Sequence, residues 1–306
     1  MFTVATFATV ICCARYIRVL RGRQVPTNSR VTNVRHIDTK DFYNGVYRVD
    51  GADYGEAQRF DEPSPHLNLI GSYLQRFKIR SSQKVLEVGC GLGKLHTCHP
   101  NWQGIEYSAT AVQLAKKLFG EQLNIQEGDA RALPVPDNSI DFWFSCAALE
   151  HVPNVELAFA EIERVLAKGG IAVINAAWNC RPWTVKKLQQ RPYTELSVAD
   201  KLGKFFIPMR EHLLFRMADS LPGRLFRELK LLEGSRVALE YSELEPDVSL
   251  WARYPHISDD DAFVSIDAHA ALVYFASRRW NIVSHPTFMD RFGCRGEEIV
   301  VRKPEG

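Results

Sequence analysis

The stretch Lys84 to Leu95, KVLEVGCGLGKL, leaves this 306-residue chain the fewest options for folding. Five residues of strand character, Lys84 to Val88, run directly into glycines at positions 89, 91 and 93. Glycine weakens a strand and loses the most backbone entropy on folding, so three at alternate positions mark a place where something must approach the main chain. A nicotinamide dinucleotide fingerprint spaces its glycines as G-x-G-x-x-G. Here the third glycine arrives one residue early, an acid (Glu87) precedes the loop, and no lysine follows in P-loop spacing.

The pattern after the loop fits one fold class. Strand-like segments at 84–88, 104–107, 123–129, 140–145 and 171–176 alternate with helical patterns. Ser108 is placed to cap a helix running to Gly120. Asn154 is placed to cap a second, with Ala158, Ile162, Val165 and Leu166 on one face and Gly169-Gly170 at its end. A helix over roughly 65–78 leads into the first strand, and a helix over Ala268–Trp280 precedes the closing segments NIVSH and EIVVR. Alternation with apolar strands predicts an α/β fold with a doubly wound, mainly parallel sheet covered on both faces. Residues 181–258 break the rhythm. They are rich in aromatic and basic residues, as in GKFFIPMREHLLFRM (203–217), and read as an inserted helical cap between 41–180 and 259–306.

Residues 1–40 carry seven Arg or Lys and one acid, so +6 against a whole-chain charge of +2, and form a basic arm on a mildly acidic body. Within it, residues 1–14 are uncharged. As a helix they would reach about 21 Å, short of a roughly 30 Å hydrocarbon core. An interfacial anchor, a merely apolar start and a cleaved signal remain open for this segment. Seven cysteines without a CxxC pair argue against a disulfide framework or structural zinc and fit a reducing, cytoplasmic compartment, with peripheral membrane contact through the arm.

In an open parallel sheet, ligands bind beyond the carboxyl ends of the strands. Three predicted strand ends carry suitable groups. Glu87 and the glycines end the first, Glu106 ends the second, where a carboxylate accepts from two ribose hydroxyls, and Asp129 with the Ala130 amide ends the third, suited to an adenine edge.

The segments LEVGCGLG, GIEYS, GDARALPVPDNSIDFWFSCAALEHV and AFAEIERVLAKGGIAVI resemble the successive motifs of class I S-adenosylmethionine-dependent methyltransferases, of the type that includes quinone-biosynthesis enzymes. The resemblance covers about 65–180 and returns at 265–302. It implies a Rossmann-like, seven-stranded sheet and S-adenosyl-L-methionine as cofactor. By position, Glu87, Gly89, Cys90, Gly91 and Gly93 would hold the methionine part, Glu106 the ribose, Tyr107 the adenine face, and Asp129 and Ala130 the adenine edge. Cys146 to His151 would face the sulfonium and the acceptor. One departure stands out: ten residues including Pro100 separate Gly93 from Gly104, which leaves room only for a short first helix.

His151 is the candidate general base, with a local hydrogen bond as the alternative. His96 and His99 share a helical face but gather no further ligands, which disfavours a metal site. Asp259-Asp260-Asp261 is expected in a solvated loop that caps a helix. The fourth strand leads into SCAALEH, not into an Asn/Asp-Pro-Pro-aromatic signature, so nucleic-acid amines are disfavoured as acceptors, and a small-molecule, lipid or sugar acceptor is expected. The competing class is a non-catalytic protein of the same fold that binds a membrane or partner.

Overall fold

The computed structural model describes residues 39–47, 64, 66–255 and 257–305; the apolar and basic arm of 1–38 lies outside them. The seven strands that form the main sheet are β1 (Val85–Val88), β2 (Trp102–Glu106), β3 (Ile125–Glu127), β4 (Ile140–Cys146), β5 (Leu166–Asn175), β8 (Asn281–Ile282) and β9 (Ile299–Arg302), in the order β3-β2-β1-β4-β5-β9-β8. The first five are parallel, and β9 runs antiparallel to both β5 and β8. Two further strands, β6 (Tyr241–Glu243) and β7 (Val264–Ile266), pair by themselves. The chain winds outward from β1 to β3, then returns through β4 on the other side of β1, so the sheet's order reverses between β1 and β4. Ligands of doubly wound sheets bind at such a reversal.

Period-two alternation gives the sheet two apolar faces. Leu86, Val88, Ile105 and Trp143 join one buried cluster, while Val85, Trp102, Phe142 and Phe144 join the other. The helix Val155–Val165 covers the first face with Val155, Phe159, Ile162 and Val165, each worth about 1.5–3 kcal/mol on burial. The helix His66–Arg76 covers the second with Ile70 and Leu74. The helix Ala268–Ala276 is apolar all round and accordingly buried on every side through Phe275.

Three local expectations change. The segment after the glycine loop forms only the 3-10 turn His96–Cys98, because Pro100 and the early start of β2 at Trp102 leave no room for an α-helix. Asn154 adopts a left-handed conformation (φ 54°) and makes no side-chain cap; its carbonyl instead accepts from Leu157. The helix it starts ends at Val165, and Leu166 already joins β5, ahead of the two glycines.

Between β5 and β6 the chain is largely helical, through Val198–Phe205, Ile207–Glu211 and Leu213–Leu232. The last of these packs against Ala268–Ala276. The contact is charged: Arg224 and Arg227 donate to Asp267, and Glu228 meets Arg291 and His269. Burial, reinforced by the Arg227 charge, lowers His269 to about 4, so it stays neutral there.

Candidate active site

At the carboxyl ends of β1, β2 and β4 lies a cavity of about 160 Å³ lined by Gly89, Glu106, Tyr107, Asp129, Ala130 and His151, among others. Its floor is set by β1. Gly89 leaves the strand with φ 73°, and a Cβ on it would fall 2.3 Å from the Cβ of Ala148, so only glycine lets the loop after β4 come this close. Gly91 is also left-handed (φ 52°), and a Cβ there would press on the Tyr47 hydroxyl at 3.2 Å.

Glu106 closes β2 and is buried. Its two oxygens accept from the Gly91 amide (2.8 Å) and the Ser108 amide (2.9 Å), which ties the glycine loop to the start of the next helix. Burial pushes this carboxyl up, and the Ser108 and Gly91 amides oppose the shift. Ser108 caps the helix Ala109–Phe119 through the Ala111 amide, as its position in the sequence implies. Asp129, at the end of β3, is gripped by Arg131 through Nε and Nη2. Burial works against its charge, but the Arg131 hydrogen bonds prevail and hold the carboxyl below its ordinary range. Tyr107 lies under the Lys40 ammonium, 5.9 Å from its ring centre.

The remaining motif residues stand elsewhere. Glu87 shares its strand face with Val85, away from the cavity, and accepts from the Trp102 indole at 2.9 Å. Burial raises it to about 8, with the Trp102 bond opposing and Glu106 adding to the rise. Cys90 packs into the apolar cluster with Val85 and Trp102, and Cys146 lies at its edge; burial pushes both thiols up. Cys90, Gly91, Gly93 and Cys146 do not line the cavity.

His151 ends the 3-10 turn Leu149–His151 and lines the cavity. Its Nδ1 lies 3.4 Å from Asp261 Oδ2, and its Nε2 lies 3.7 Å from Glu150 Oε1. Burial alone would lower this imidazole, but the charges of Asp261 and Glu150 reverse the sign and raise it above 6.5. Burial likewise raises Glu150, against the pull of His151.

The triple aspartate overturns the solvated-loop expectation: Asp260 and Asp261 are both buried. Asp260 forms an ion pair with Lys187, itself fully buried, and accepts from the Ile257 amide; Asp261 serves His151. A run of three like charges reads as surface, and only the folded chain shows two of them turned inward toward cations. His96 and His99 each contact a backbone carbonyl, of Gly93 and Arg80.

Sequence inspection also missed the helix Thr39–Val46, which closes the cavity with Tyr43, Val46 and Tyr47. Its anchor is Asn44, whose Oδ1 accepts from Ser108 Oγ (2.9 Å) and the Thr110 amide (3.3 Å), at the start of the neighbouring helix, where the first amides have no partner within the helix. Tyr43 donates to Asp261 at 3.4 Å and sets its ring edge against His151. The two tyrosines four residues apart in DFYNGVY are the one signal that could have found it.

Residues 86–174, which run from β1 to the end of β5 and contain every motif residue that lines the cavity, match the methyltransferase domain family. These residues form a methyltransferase domain. A sterol 24-C-methyltransferase of Gibberella zeae is 32% identical to it over 103 residues, 30% of this chain and 27% of that protein. A phthiotriol/phenolphthiotriol dimycocerosates methyltransferase of Mycobacterium tuberculosis is 31% identical over 137 residues, 42% of this chain and 50% of that one. A SAM-dependent methyltransferase from Thermotoga maritima has a solved structure 27% identical, with a TM-score of 0.29, covering 35% of this chain and 53% of that one. The chain thus spans 27% and 50% of the length of the two sequence relatives. The similarity lies in the methyltransferase domain; the quinone-biosynthesis subtype stays an expectation.

Proposed function

We propose that the protein transfers a methyl group from S-adenosylmethionine to a lipid-like acceptor, with His151 as the proton acceptor. The observation that carries this is the convergence of Gly89, Glu106, Asp129 and Ala130 from three strand ends on one cavity that also holds His151. Apolar walls (Val88, Ile105, Leu149, Val152) with carboxylates at the rim suit an adenosine: a flat ring to bury and a diol to bind. Glu106 keeps lone pairs beyond those its two amides use, and these would take the ribose hydroxyls. Asp129 and the Ala130 amide would take the adenine edge.

S-adenosylmethionine, when bound there, supplies an electrophilic methyl group on a sulfonium. Tyr43, Val46 and Tyr47 cover the cavity and exclude water. Asp261 faces Nδ1 of His151 and favours the tautomer with its proton there, which leaves Nε2 to take the proton an acceptor hydroxyl or carbon must shed. Glu150 stabilises the imidazolium that results. The lipid-like acceptor rests on the relatives, one named for sterols and one for phthiotriol dimycocerosates. The expected membrane role of residues 1–23 lies outside the described residues. No helix among the described residues is long and apolar enough to cross a membrane.

Two measurements test the proposal. Calorimetric titration with S-adenosylmethionine should show binding that Glu106→Ala weakens by about 1.5–3 kcal/mol, through loss of charge-assisted hydrogen bonds. Incubation of the protein with methyl-labelled cofactor and a cell extract should then move label into the organic phase. His151→Ala should stop that transfer while still binding the cofactor. Failure of the native protein to bind S-adenosylmethionine would sink the proposal.

A further inference from the structure

The helix Leu213–Leu232 is inside out. Its inward face carries the buried charges Arg224, Arg227 and Glu228. Its outward face carries Leu214, Leu221, Leu225, Leu229 and Leu232, and Leu214 and Leu232 are 68% and 81% exposed. At 100° per residue these leucines share one side. The helix Val198–Phe205 repeats the pattern: it buries no residue, and it exposes Val198, Leu202 and Phe205 at i, i+4 and i+7. The helix Ile207–Glu211 packs against both and adds exposed Met209. Scattered exposed leucines are ordinary, but exposed apolar rows on three helices packed one after another mark an interaction surface.

Charge beside that face identifies what covers it. Arg181 and Arg210 flank the ring of Trp183, with guanidinium carbons 5.7 and 5.2 Å from its centre. Arg216 acts on Arg181 as a like charge. Glu211 and Asp219 act on Arg181 as opposite charges. All three arginines line a cleft of about 780 Å³ together with Leu213, Met217 and Leu221 and the acids Asp219 and Glu243, so the cations border the apolar face directly. Between Lys201 and Arg216 the surface carries four cations and one acid, Glu211, which the Trp183 indole and Gln189 already engage.

We propose that this cap face docks on an anionic lipid bilayer, with the leucines and Phe205 at the acyl boundary and Arg181, Arg210 and Arg216 on the headgroups. A helix lying in the plane of the interface needs this combination of an apolar face with flanking cations. A two-fold contact with a second copy would bring two copies of the arginine cluster into one interface, whereas a bilayer supplies anions beside an apolar layer. Docking stands apart from methyl transfer. It needs no cofactor, and either proposal can fail alone.

Vesicle flotation of the full chain tests it. Phosphatidylglycerol–phosphatidylcholine vesicles should carry the native protein upward at low salt, and phosphatidylcholine alone should carry much less. Leu214→Glu/Leu225→Glu should lower partitioning by about tenfold or more. Arg210→Gln/Arg216→Gln should lower it severalfold on anionic vesicles only and flatten its salt dependence. Both pairs are exposed, and unchanged melting curves would show that the variants fold. The proposal is overturned if the native chain does not float, or if the leucine variant floats as well as the native chain, which would leave the arm as the anchor. It is also overturned if sedimentation shows a native dimer that the leucine variant splits, with no vesicle binding by either.

Discussion

The helices Val155–Val165 and Leu213–Leu232 have the same amphipathic period and opposite orientations. The first buries Val155, Phe159, Ile162 and Val165 against the sheet, leaves Leu157 and Ala160 exposed, and holds Glu156 and Glu163 half-buried on Tyr241 and Arg278. The second buries Arg224, Arg227 and Glu228 and turns its leucines outward. Periodicity states that a helix has two faces; the partner decides which one goes inside. The sheet offers Val155–Val165 an apolar surface. The start of Ala268–Ala276 offers the cap helix Asp267 and His269 instead. The two regions also bury charge differently. Around the cap, buried charges come in opposite pairs: Arg224 and Arg227 with Asp267, Glu228 with Arg291, Lys187 with Asp260. Near the cavity, Glu87 and Glu106 meet an indole and backbone amides rather than a cation. Paired burial holds an orientation, whereas carboxyls buried without a cation keep a strand end responsive to what binds beside it.

The largest expected effect breaks the cap's pairing. Asp267→Ala leaves buried Arg224 without its carboxylate and Arg227 with only the longer contact to Glu240, and should cost about 3–5 kcal/mol in urea unfolding. Removal of the cap on the His269 amide adds to that loss. Phe159→Ala should cost a similar ~3–5 kcal/mol for a wholly different reason, an apolar cavity under the sheet. Replacing both Asp267 and its arginines with apolar residues should recover most of the first loss. No apolar-to-polar exchange should recover the second.

A smaller effect separates the two kinds of buried charge by pH. The folded pKa of Glu87, near 8, lies above its unfolded value, so the native state prefers the protonated carboxyl. Its contribution to stability is complete below the unfolded pKa and is lost as pH rises through about 8. Glu87→Gln cannot ionise. Relative to the native protein it should therefore gain stability between pH 5 and pH 8, by about 3–4 kcal/mol, since roughly two and a half units of the rise from 4.5 to about 8 fall in that window. Unfolding curves at several pH values measure this directly. Parallel curves for variant and native protein would show that Glu87 ionises freely in the fold.

The smallest effect tests the outward face. Leu225→Glu, a change that would ruin Val155–Val165 at Phe159 or Ile162, should shift stability by no more than about 0.5 kcal/mol. A loss of several kcal/mol would show that the outward leucines have a partner within the chain.

Much of the sheet was legible beforehand. Alternating apolar residues and local caps mark β1 to β5, the helix after Ser108 and the closing pair, whose antiparallel pairing only the structure shows, because strands and helices write their periods into neighbouring residues. The strand-end acids Glu106 and Asp129 were legible for the same reason: a strand end is a local event, and its position in a parallel sheet determines which way it faces. The partners of His151 were not. Glu150 stands beside it in sequence but reads as surface, and Asp261 is 110 positions away in a run of acids that suggests solvent. Tyr43 comes from a segment with no strong motif.

The sequence by itself determined the class of fold, the glycine loop and which strand ends carry carboxylates, since each rests on residues a few positions apart. Tertiary structure alone decided that Glu87 turns to Trp102 rather than to the cavity, that Asp260 and Asp261 go inward, that Thr39–Val46 covers the site, and that the cap helix hides its charges. Each of these depends on where a buried charge or polar group finds its partner, which is set by groups the fold brings within a few ångströms and not by the neighbours the chain supplies.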